Sequence, residues 1–296
     1  MSPHPASVAF AGWAPYSPCA VGCLAADETR VPLPIAVLRL VAVAGVFLGV
    51  IPLAVAYPLL GGAARTALVR AWCRAFARAL DVRIAAESPL AVPGALVVAN
   101  HISWLDVVVL GAVRPGRIVA KSDLRSWPVI GPVAARAGTI FVERGRLSTL
   151  PRTVADVRDA LRSGARVLAF PEGTTWCGAE SGRFRPALFQ AAIEAGAPVE
   201  PVTVRYRAGD RPTTAPAFVG DDPLVASIWR VVRSRRLVAD VRCHPVLAPS
   251  GGRRVLAAAA AASVSGVRPG VDRFVGVHQP QVVDRHPAQR LVPVEA

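Results

Sequence analysis

The chain has 296 residues, 53% of them hydrophobic, which is enough for one substantial catalytic domain with appendages. Its net charge is +14, and 33 of its 34 basic residues are arginine, with Lys121 as the single lysine. This surplus favours anionic partners such as nucleic acid, a membrane surface, or phosphorylated or CoA-bearing substrates. The sequence has neither zinc-finger spacing nor an RNP-like stretch, so we expect no nucleic acid among the partners.

Residues 1–32 form a Pro/Ala-rich leader that contains two of the five cysteines, Cys19 and Cys23. The cysteines are odd in number and scattered, which argues against a disulfide framework and indicates a reducing compartment. A metal site in the leader would need more ligands than the neighbouring sequence offers. We therefore interpret Cys19 and Cys23 as ordinary thiols and predict no metal site.

The segment 33–64 is predicted to anchor the chain in a membrane. Residues 40–64 carry no charge, and about 20 such residues can span a bilayer. Pro52, Pro58 and the Gly61-Gly62 pair interrupt the run, which leaves open a bent segment lying in one leaflet; a buried core helix is a third alternative. One arginine precedes the run and several follow it, which places the downstream domain on the cytoplasmic side of the cell membrane.

The next segment, residues 65–80, is predicted to form a basic amphipathic helix. Arginines at i, i+4 spacing share one stripe, and large apolar side chains share another. The two stripes are Arg70, Arg74 and Arg78, and Leu68, Trp72, Phe76 and Leu80. Such a helix lies well on an anionic leaflet, although a solvated arginine face over a packed core would give the same pattern.

From about residue 82, short apolar runs alternate with helical patterns. The runs are "ALVVAN", "GRIVAKS", "GTIFVER", "RVLAFPE" and "PVEPVTVRY". This alternation predicts an α/β fold with a mixed, mostly parallel sheet flanked by helices, preceded by the N-terminal hydrophobic membrane segment. Motifs at the ends of these runs lie where α/β folds place active sites.

The stretch "VVANHISWLDVV", residues 97–108, contains the first candidate catalytic pair, His101 and Asp106. On one continuous helix, positions five apart diverge by about 140°, so these side chains would not meet. They can meet if His101 lies in the turn before the helix and Asp106 in its first turn. The carboxylate would then hold one imidazole nitrogen and leave the other free to take a proton. The alternative is a capping box formed by Ser103 and Asp106, with His101 as an ordinary loop histidine.

Two further motifs end neighbouring predicted strands. "GTIFVERG" ends with Arg144, whose guanidinium is suited to a phosphate, and "FPEGTTWCG" supplies Glu172 followed by a Gly173 turn. Each is weak alone, because Arg144 could be surface charge and Pro-Glu-Gly is common in turns. Together with His101, these motifs predict a base, a guanidinium group suited to phosphate and a tight glycine turn at one edge of the sheet.

In order, "NHISWLD", "GTIFVER", "FPEGTT" and "APVEPV" resemble the four signature blocks of the glycerolipid acyltransferase family, typified by 1-acylglycerol-3-phosphate acyltransferase. "AKSDLRSWPVIGPVAARAG" resembles the family's linker between the first two blocks, so the similarity covers roughly residues 70–248. The resemblance implies transfer of a fatty acyl group from acyl-CoA or acyl-carrier protein to the hydroxyl of a lysolipid at a membrane. It implies no metal and no prosthetic cofactor. The expected partners are the acyl donor, the lysolipid acceptor and membrane lipids.

The resemblance also implies roles for individual residues. His101 matches the general base and Asp106 the residue that orients it, while Arg144 matches the phosphate-binding arginine of the second block. The remaining matches concern substrate binding: Glu172, Gly173 and Thr174 in the third block, Pro201 in the fourth, and Lys121 near the acceptor.

One position departs from the family pattern. The third block usually continues Glu-Gly-Thr-Arg, but Thr175 occupies the arginine position here. Arg183 or Arg185 could substitute, which keeps 1-acylglycerol-3-phosphate as the leading acceptor. Another lysolipid, such as lyso-ornithine lipid, is the alternative, because some of its acyltransferases have Thr-Thr here.

The predicted organisation is a leader over 1–32, a membrane-anchoring segment over 33–64, an acyltransferase domain over 65–250, and a short helix with a disordered tail over 251–296. A non-catalytic lipid-binding protein of the same fold is the rival function. The intact pair of His101 and Asp106 favours the enzyme, since a module that only binds has no use for an oriented base.

Overall fold

The structure is a computed structural model, and it describes residues 15–24, 30–87, 92–143 and 146–266. The helices in chain order are α1 (Leu33–Leu48), α2 (Val50–Ala56), α3 (Gly62–Ala79), α4 (Leu105–Val113), α5 (Ile130–Arg136), α6 (Leu150–Arg162), α7 (Ala187–Ala195), α8 (Leu224–Arg233) and α9 (Arg253–Ser265). The strands are β1 (Arg83–Glu87), β2 (Leu96–Ala99), β3 (Arg117–Lys121), β4 (Ile140–Val142), β5 (Val167–Ala169), β6 (Val199–Ala208), β7 (Arg211–Pro212) and β8 (Leu237–Cys243).

The strands form one mixed, mostly parallel sheet, which confirms the predicted fold class. Its order is β1-β8-β6-β2-β5-β3-β4, with β7 paired to β6. The strands β6, β2, β5, β3 and β4 run in the same direction, whereas β8 is antiparallel to β6 and parallel to β1. Parallel neighbours end at the same edge, so the segments that follow β2 and β5 emerge side by side.

Helices cover both faces of the sheet. The strand β2 is buried throughout and sends alternate side chains to the two faces. Val97 and Ala99 belong to the cluster that includes α3, α4 and α8, whereas Leu96 and Val98 belong to the cluster of α6, α7 and α9. Continuous apolar runs such as "ALVVA" therefore reflect a strand that is covered on both sides.

The predicted C-terminal helix is present as α9 and is part of the domain core. Four of its side chains are buried: Leu256, Ala257, Ala260 and Val264. It packs against β6 and α7, and the Thr203 hydroxyl donates a hydrogen bond to the Val264 carbonyl over 2.8 Å. We therefore propose that the catalytic unit extends to residue 266. The predicted tail lies outside the described residues.

The N-terminal apolar segment forms α1, α2 and one further helical turn. The stretch Leu33–Leu59 has 27 residues with a mean hydropathy of 2.4, and only 11% of its apolar window is buried inside the protein. This exposure argues against a buried core helix. The helix α1 nevertheless packs against α3 and α8, and Arg39 donates to the carbonyls of Val232 and Ser234 over 3.0 and 2.7 Å.

The predicted amphipathic helix corresponds to α3. Its apolar stripe packs on the protein: Phe76 and Leu80 are buried, and the Trp72 indole N–H donates to the Val46 carbonyl of α1 over 3.1 Å. Arg74 and Arg78 are exposed on the opposite face. The stripe therefore lies over a packed core, with Arg74 and Arg78 available to an anionic surface and Arg70 half-buried.

Candidate active site

His101 and Asp106 meet at the carboxyl end of β2. The strand ends at Ala99 and α4 begins at Leu105, so His101 lies in the intervening turn and Asp106 in the first turn of the helix. The distance from His101 Nδ1 to Asp106 Oδ2 is 2.9 Å. A turn followed by a helix therefore brings together two side chains that one continuous helix would separate. This contact engages Nδ1 and leaves Nε2 as the imidazole nitrogen that Asp106 does not contact.

Asp106 is fully buried and is held by four donors. Its Oδ2 accepts hydrogen bonds from His101 Nδ1 and from the backbone N–H groups of Ile102 (2.6 Å) and Ser103 (2.9 Å). Its Oδ1 accepts from the Tyr206 hydroxyl over 2.7 Å. Burial, together with the Asp106 charge, raises the pKa of Tyr206 well above its ordinary value, so the phenol remains a donor. Four donors satisfy the buried carboxylate and fix its orientation.

The capping interpretation of the same residues also describes part of the geometry. The Ser103 hydroxyl accepts from the Leu105 N–H over 3.2 Å, and Asp106 reaches back to the Ser103 N–H. This is close to the reciprocal arrangement of a capping box. The aspartate therefore orders the helix start and holds the imidazole at the same time.

The His101 ring and backbone are fixed by the segment that follows β5. The ring stacks on Phe170 with centroids 3.9 Å apart and planes 15° from parallel. The His101 N–H donates to Glu172 Oε2 over 2.6 Å, and the His101 carbonyl accepts from the Trp176 N–H over 2.7 Å. His101 is thus pre-organised by two neighbouring strand ends, with 15% of its side chain accessible.

Glu172 is a buried carboxyl that ties this loop together. Its two oxygens accept from the backbone N–H groups of His101 (2.6 Å) and Gly182 (2.8 Å). Burial raises the pKa of Glu172 from 4.5 to about 7, against the lowering effect of the two N–H donors, and the nearby Asp106 charge adds to the rise. In this position Glu172 supports the His101 turn from within the protein.

Gly173 makes the tight turn that follows. Its φ of 77° lies in the left-handed region, and an added Cβ would be 2.8 Å from the Pro15 ring. Only glycine fits both the backbone conformation and this close contact. The same Cβ position lies 3.6 Å from Cδ of Arg185, so the Arg185 side chain passes next to this turn.

The other predicted substrate-binding residues have contacts and surroundings of their own, apart from those described for His101 and Asp106. Lys121 ends β3 at the same sheet edge, with its side chain 53% exposed and its Nζ 4.0 Å from Asp123. Thr174 is half-buried in the loop after Gly173. Pro201 is buried inside β6 beside Val98, and its carbonyl accepts from His244 where the β8 ladder ends. Arg144 lies outside the described residues, so its phosphate role stays a prediction.

Thr175, at the position where the family pattern has arginine, has a structural contact. Its hydroxyl donates a short hydrogen bond to the carbonyl of Phe218. The Phe218 N–H in turn donates to the Ile102 carbonyl over 3.0 Å. Thr175 thus joins the loop around residue 218 to the turn that carries His101.

Two residues of the site lack a signal in the local sequence. Tyr206 contacts Asp106 from β6, 100 residues later in the chain, and Phe170 lies under the His101 ring. An aromatic residue at the end of an apolar run is typical of an ordinary strand, so neither position stands out. His244 directly follows β8, with Nε2 2.8 Å from the Thr203 hydroxyl.

Comparison with known proteins identifies the family. A family model described as Acyltransferase matches residues 81–205. The lyso-ornithine lipid O-acyltransferase of Pseudomonas aeruginosa is 38% identical over 175 residues, which cover 58% of this chain and 66% of that protein. The 1-acyl-sn-glycerol-3-phosphate acyltransferase of Neisseria gonorrhoeae is 37% identical over 165 residues, covering 55% and 65%. The chain thus spans just under two thirds of the length of these two relatives.

A third relative is matched along nearly its whole length. The lyso-ornithine lipid O-acyltransferase of Rhodobacter capsulatus is 33% identical over 252 residues, covering 81% of this chain and 90% of that protein. The crystal structure of the 1-acyl-sn-glycerophosphate acyltransferase of Thermotoga maritima superposes with a TM-score of 0.62 at 18% identity, over 79% of this chain and 94% of that one. The chain belongs to the acyltransferase family, which confirms the resemblance inferred from the four sequence blocks.

Proposed function

We propose that the protein is a lysolipid O-acyltransferase that uses His101 as its general base. The observation that carries this proposal is the 2.9 Å contact between His101 Nδ1 and a fully buried Asp106. Three donors other than the imidazole hold the buried carboxylate in place, which favours the tautomer with the proton on Nδ1 and leaves Nε2 available. A protein that only binds lipid would gain an ordered helix start from Asp106 but has no use for an oriented imidazole.

In the proposed reaction, His101 Nε2 accepts the proton of the acceptor hydroxyl while the hydroxyl oxygen attacks the carbonyl carbon of the acyl thioester. The tetrahedral intermediate then collapses, the carbon–sulfur bond breaks, and the new oxygen ester is released. The departing thiolate takes the proton back from Nε2, so the histidine ends the cycle neutral. Throughout the cycle, Asp106 accepts the hydrogen bond from the Nδ1–H group of His101 and stabilises the imidazolium.

The donor in this proposal is acyl-CoA or acyl-carrier protein. Both carry the acyl group on a phosphopantetheine thiol, and the surplus of positive charge favours either anionic donor. Lys121, at the end of β3, and Arg144, which follows the β4 segment in the sequence, are proposed to contact the phosphate of a phosphate-bearing acceptor. Pro201 is buried in the sheet, so we assign it a role in shaping β6.

The acceptor that we place first is lyso-ornithine lipid, with 1-acylglycerol-3-phosphate second. The similarity to the Rhodobacter capsulatus enzyme over 90% of its length supports this order. The hydroxyl of Thr175 bonds to Phe218 and supplies no guanidinium for a phosphate, which supports it as well. A retained preference for the phosphate acceptor would instead indicate that Arg144 or Arg185 supplies the missing charge.

The apolar stretch Leu33–Leu59 is proposed to hold the domain at the cytoplasmic face of the cell membrane. Its exposed apolar side chains have no partner described within the protein core, and α1 is at the same time packed against α3 and α8. Because the anchor packs against the domain, it would hold the candidate active site close to lipid acceptors in the membrane. Membrane lipids are therefore proposed partners.

The test is an acyl-transfer assay with purified full-length protein and radiolabelled acyl donor. Each donor, acyl-CoA and acyl-carrier protein, is offered with lyso-ornithine lipid and with 1-acylglycerol-3-phosphate, and the esterified product is separated by chromatography. We expect product with a lysolipid acceptor and faster transfer to lyso-ornithine lipid. Faster transfer to 1-acylglycerol-3-phosphate would contradict the proposed order of acceptors. The absence of product with every pair of substrates would contradict the proposal that the protein is a lysolipid acyltransferase.

A further inference from the structure

Three thiols, two from the leader and one from a distant loop, converge beside the candidate active site. The sulfur atoms of Cys19, Cys23 and Cys177 all lie within 4.8 Å of one another. Cys19 and Cys177 are buried, with 4% and 3% exposure, whereas Cys23 is exposed. The leader alone offers two thiols, and folding adds the third from the loop that follows the Glu172–Gly173 turn.

The surrounding backbone orients these sulfurs toward one another. The Cys177 N–H donates to the Cys19 sulfur over 3.4 Å, and the backbone N–H groups of Ala179 and Glu180 interact with the Cys177 sulfur. Cys19 and Cys23 are joined by one helical turn, Val21–Cys23. N–H donors around converging sulfurs are an arrangement suited to thiolate ligands, which carry negative charge.

The same cysteines connect two segments that meet at the site. Residues 15–24, which we term the strap, lie across the loop around residues 173–177: Pro15 contacts Gly173, and Cys19 contacts Cys177. The strap is also held at its far end, where the Thr214 hydroxyl donates to the Cys23 carbonyl over 2.9 Å. A ligand bound by all three thiols would therefore fasten the strap to the loop that supports His101.

The spacing fits a metal ion better than a disulfide. Zinc binds thiolates at about 2.3 Å, which places three sulfurs of a tetrahedral site about 3.8 Å apart. Since the three sulfurs lie within 4.8 Å of one another, changes of about 1 Å or less in any separation above this value would reach it. A disulfide would use two of the three thiols and leave the third without a purpose, and a reducing compartment disfavours it.

We propose that Cys19, Cys23 and Cys177 bind one Zn²⁺ ion that fastens the strap to the active-site loop. The three thiolates supply three ligands, and a water molecule on the exposed side of Cys23 completes the tetrahedron. Among the residues that the structure describes, these thiols form the whole group, which gives the ion an accessible fourth position. The proposal concerns a site outside the acyl-transfer chemistry and stands independently of it.

The test is a cobalt titration of reduced, metal-free, full-length protein without an affinity tag, kept anaerobic and free of acyl donor and acceptor. Cobalt bound to thiolates gives an intense near-ultraviolet charge-transfer band, which zinc should abolish by displacement. We expect one cobalt ion per chain. Cys23→Ser and Cys177→Ser should each weaken cobalt binding by about ten-fold or more, and Cys23 is exposed, so its variant should keep the fold.

The matched control is Cys243→Ser, because Cys243 lies in β8 outside the group. It should bind cobalt as the wild type does. A wild type without the band, or a control that loses binding equally, would overturn the site. So would the loss of two free thiols on exposure to air with no metal uptake, which would indicate a disulfide instead.

Hydrogen exchange tests the fastening role separately. Zinc should slow backbone exchange in residues 15–24 of the wild type about ten-fold, with no such change in Cys23→Ser, because metal binding removes local opening. If zinc binds without protecting the strap, the fastening role is wrong even though the site exists.

Discussion

At the residue scale, the site depends on which hydrogen-bond donors each carboxylate oxygen of Asp106 receives. One oxygen receives the imidazole and two backbone N–H groups, and the other receives the Tyr206 hydroxyl. The spacing of His101 and Asp106 predicts their contact once a turn is placed before the helix. The contribution of Tyr206 has no such local signal, because it depends on β6 lying next to β2 in the sheet.

Removing the Tyr206 hydroxyl should impair catalysis through Asp106. Tyr206→Phe leaves one buried carboxylate oxygen without its donor, a loss of about 1–3 kcal/mol. Asp106 then directs more charge toward the imidazole and favours its protonated form. We expect a kcat about ten-fold lower, a donor KM close to wild type, and an acid limb of the pH–rate profile at higher pH. An unshifted profile with a uniform loss of activity would indicate a structural role alone.

Glu172 should make stability depend on pH near neutrality. Its pKa is raised from 4.5 to about 7, so the folded state favours the protonated carboxyl. The stabilising contribution is complete below about pH 4.5 and is lost as the pH rises through 7; this shift corresponds to about 3 kcal/mol. We expect the thermal unfolding midpoint to fall between pH 5 and pH 8 by a larger amount in the wild type than in Glu172→Gln. Parallel decreases would contradict the shifted pKa.

Arg144 is expected to recognise phosphate through a planar, bidentate guanidinium. Lysine keeps the charge but lacks this geometry, so Arg144→Lys should raise the KM for a phosphate-bearing acceptor several-fold. The KM for acyl-CoA should change little, and steady-state kinetics with each substrate varied in turn would measure both. An unchanged acceptor KM alongside robust transfer would show that Arg144 has another role.

At the scale of elements, α1 combines two surfaces. Arg39 and the side facing α3 and α8 belong to the domain, whereas Leu38 (68%) and Val41 (63%) are exposed. Hydropathy predicts the apolar stretch but cannot distinguish these surfaces, because apart from Arg39 the residues on both are apolar. Deleting the whole segment would also uncover the core, so substitutions on the exposed side give the sharper test of anchoring.

The double variant Leu38→Asp, Val41→Asp should weaken membrane binding. A charge placed at hydrocarbon depth costs about 3 kcal/mol, so the fraction bound to vesicles of bacterial lipid should fall about ten-fold or more in a flotation assay. Val255→Asp is the control, since Val255 is equally exposed at 63% but lies on α9. Equal flotation of the double variant and the control would place the anchor elsewhere.

At the scale of the whole molecule, the sequence predicts the layers of the fold better than its long-range contacts. Alternating apolar runs and helical patterns predict a mostly parallel sheet, and strand ends predict where the site lies. The order β6-β2-β5 depends on packing across the entire sheet. Contacts created by that packing, such as Cys177 with Cys19, 158 residues apart, could not be predicted from local pattern.

The central claim is that His101 is the general base of acyl transfer, and the most direct measurement compares His101→Ala with His244→Ala. The two histidines differ in setting: His101 is held by Asp106, whereas His244 contacts Thr203 at the end of β8. With a saturating acyl donor and lysolipid acceptor, His101→Ala should lower kcat by about 10²–10⁴-fold, with an unchanged circular dichroism spectrum. His244→Ala should retain near wild-type activity. A His101→Ala enzyme that keeps more than about a tenth of the wild-type rate would contradict the account.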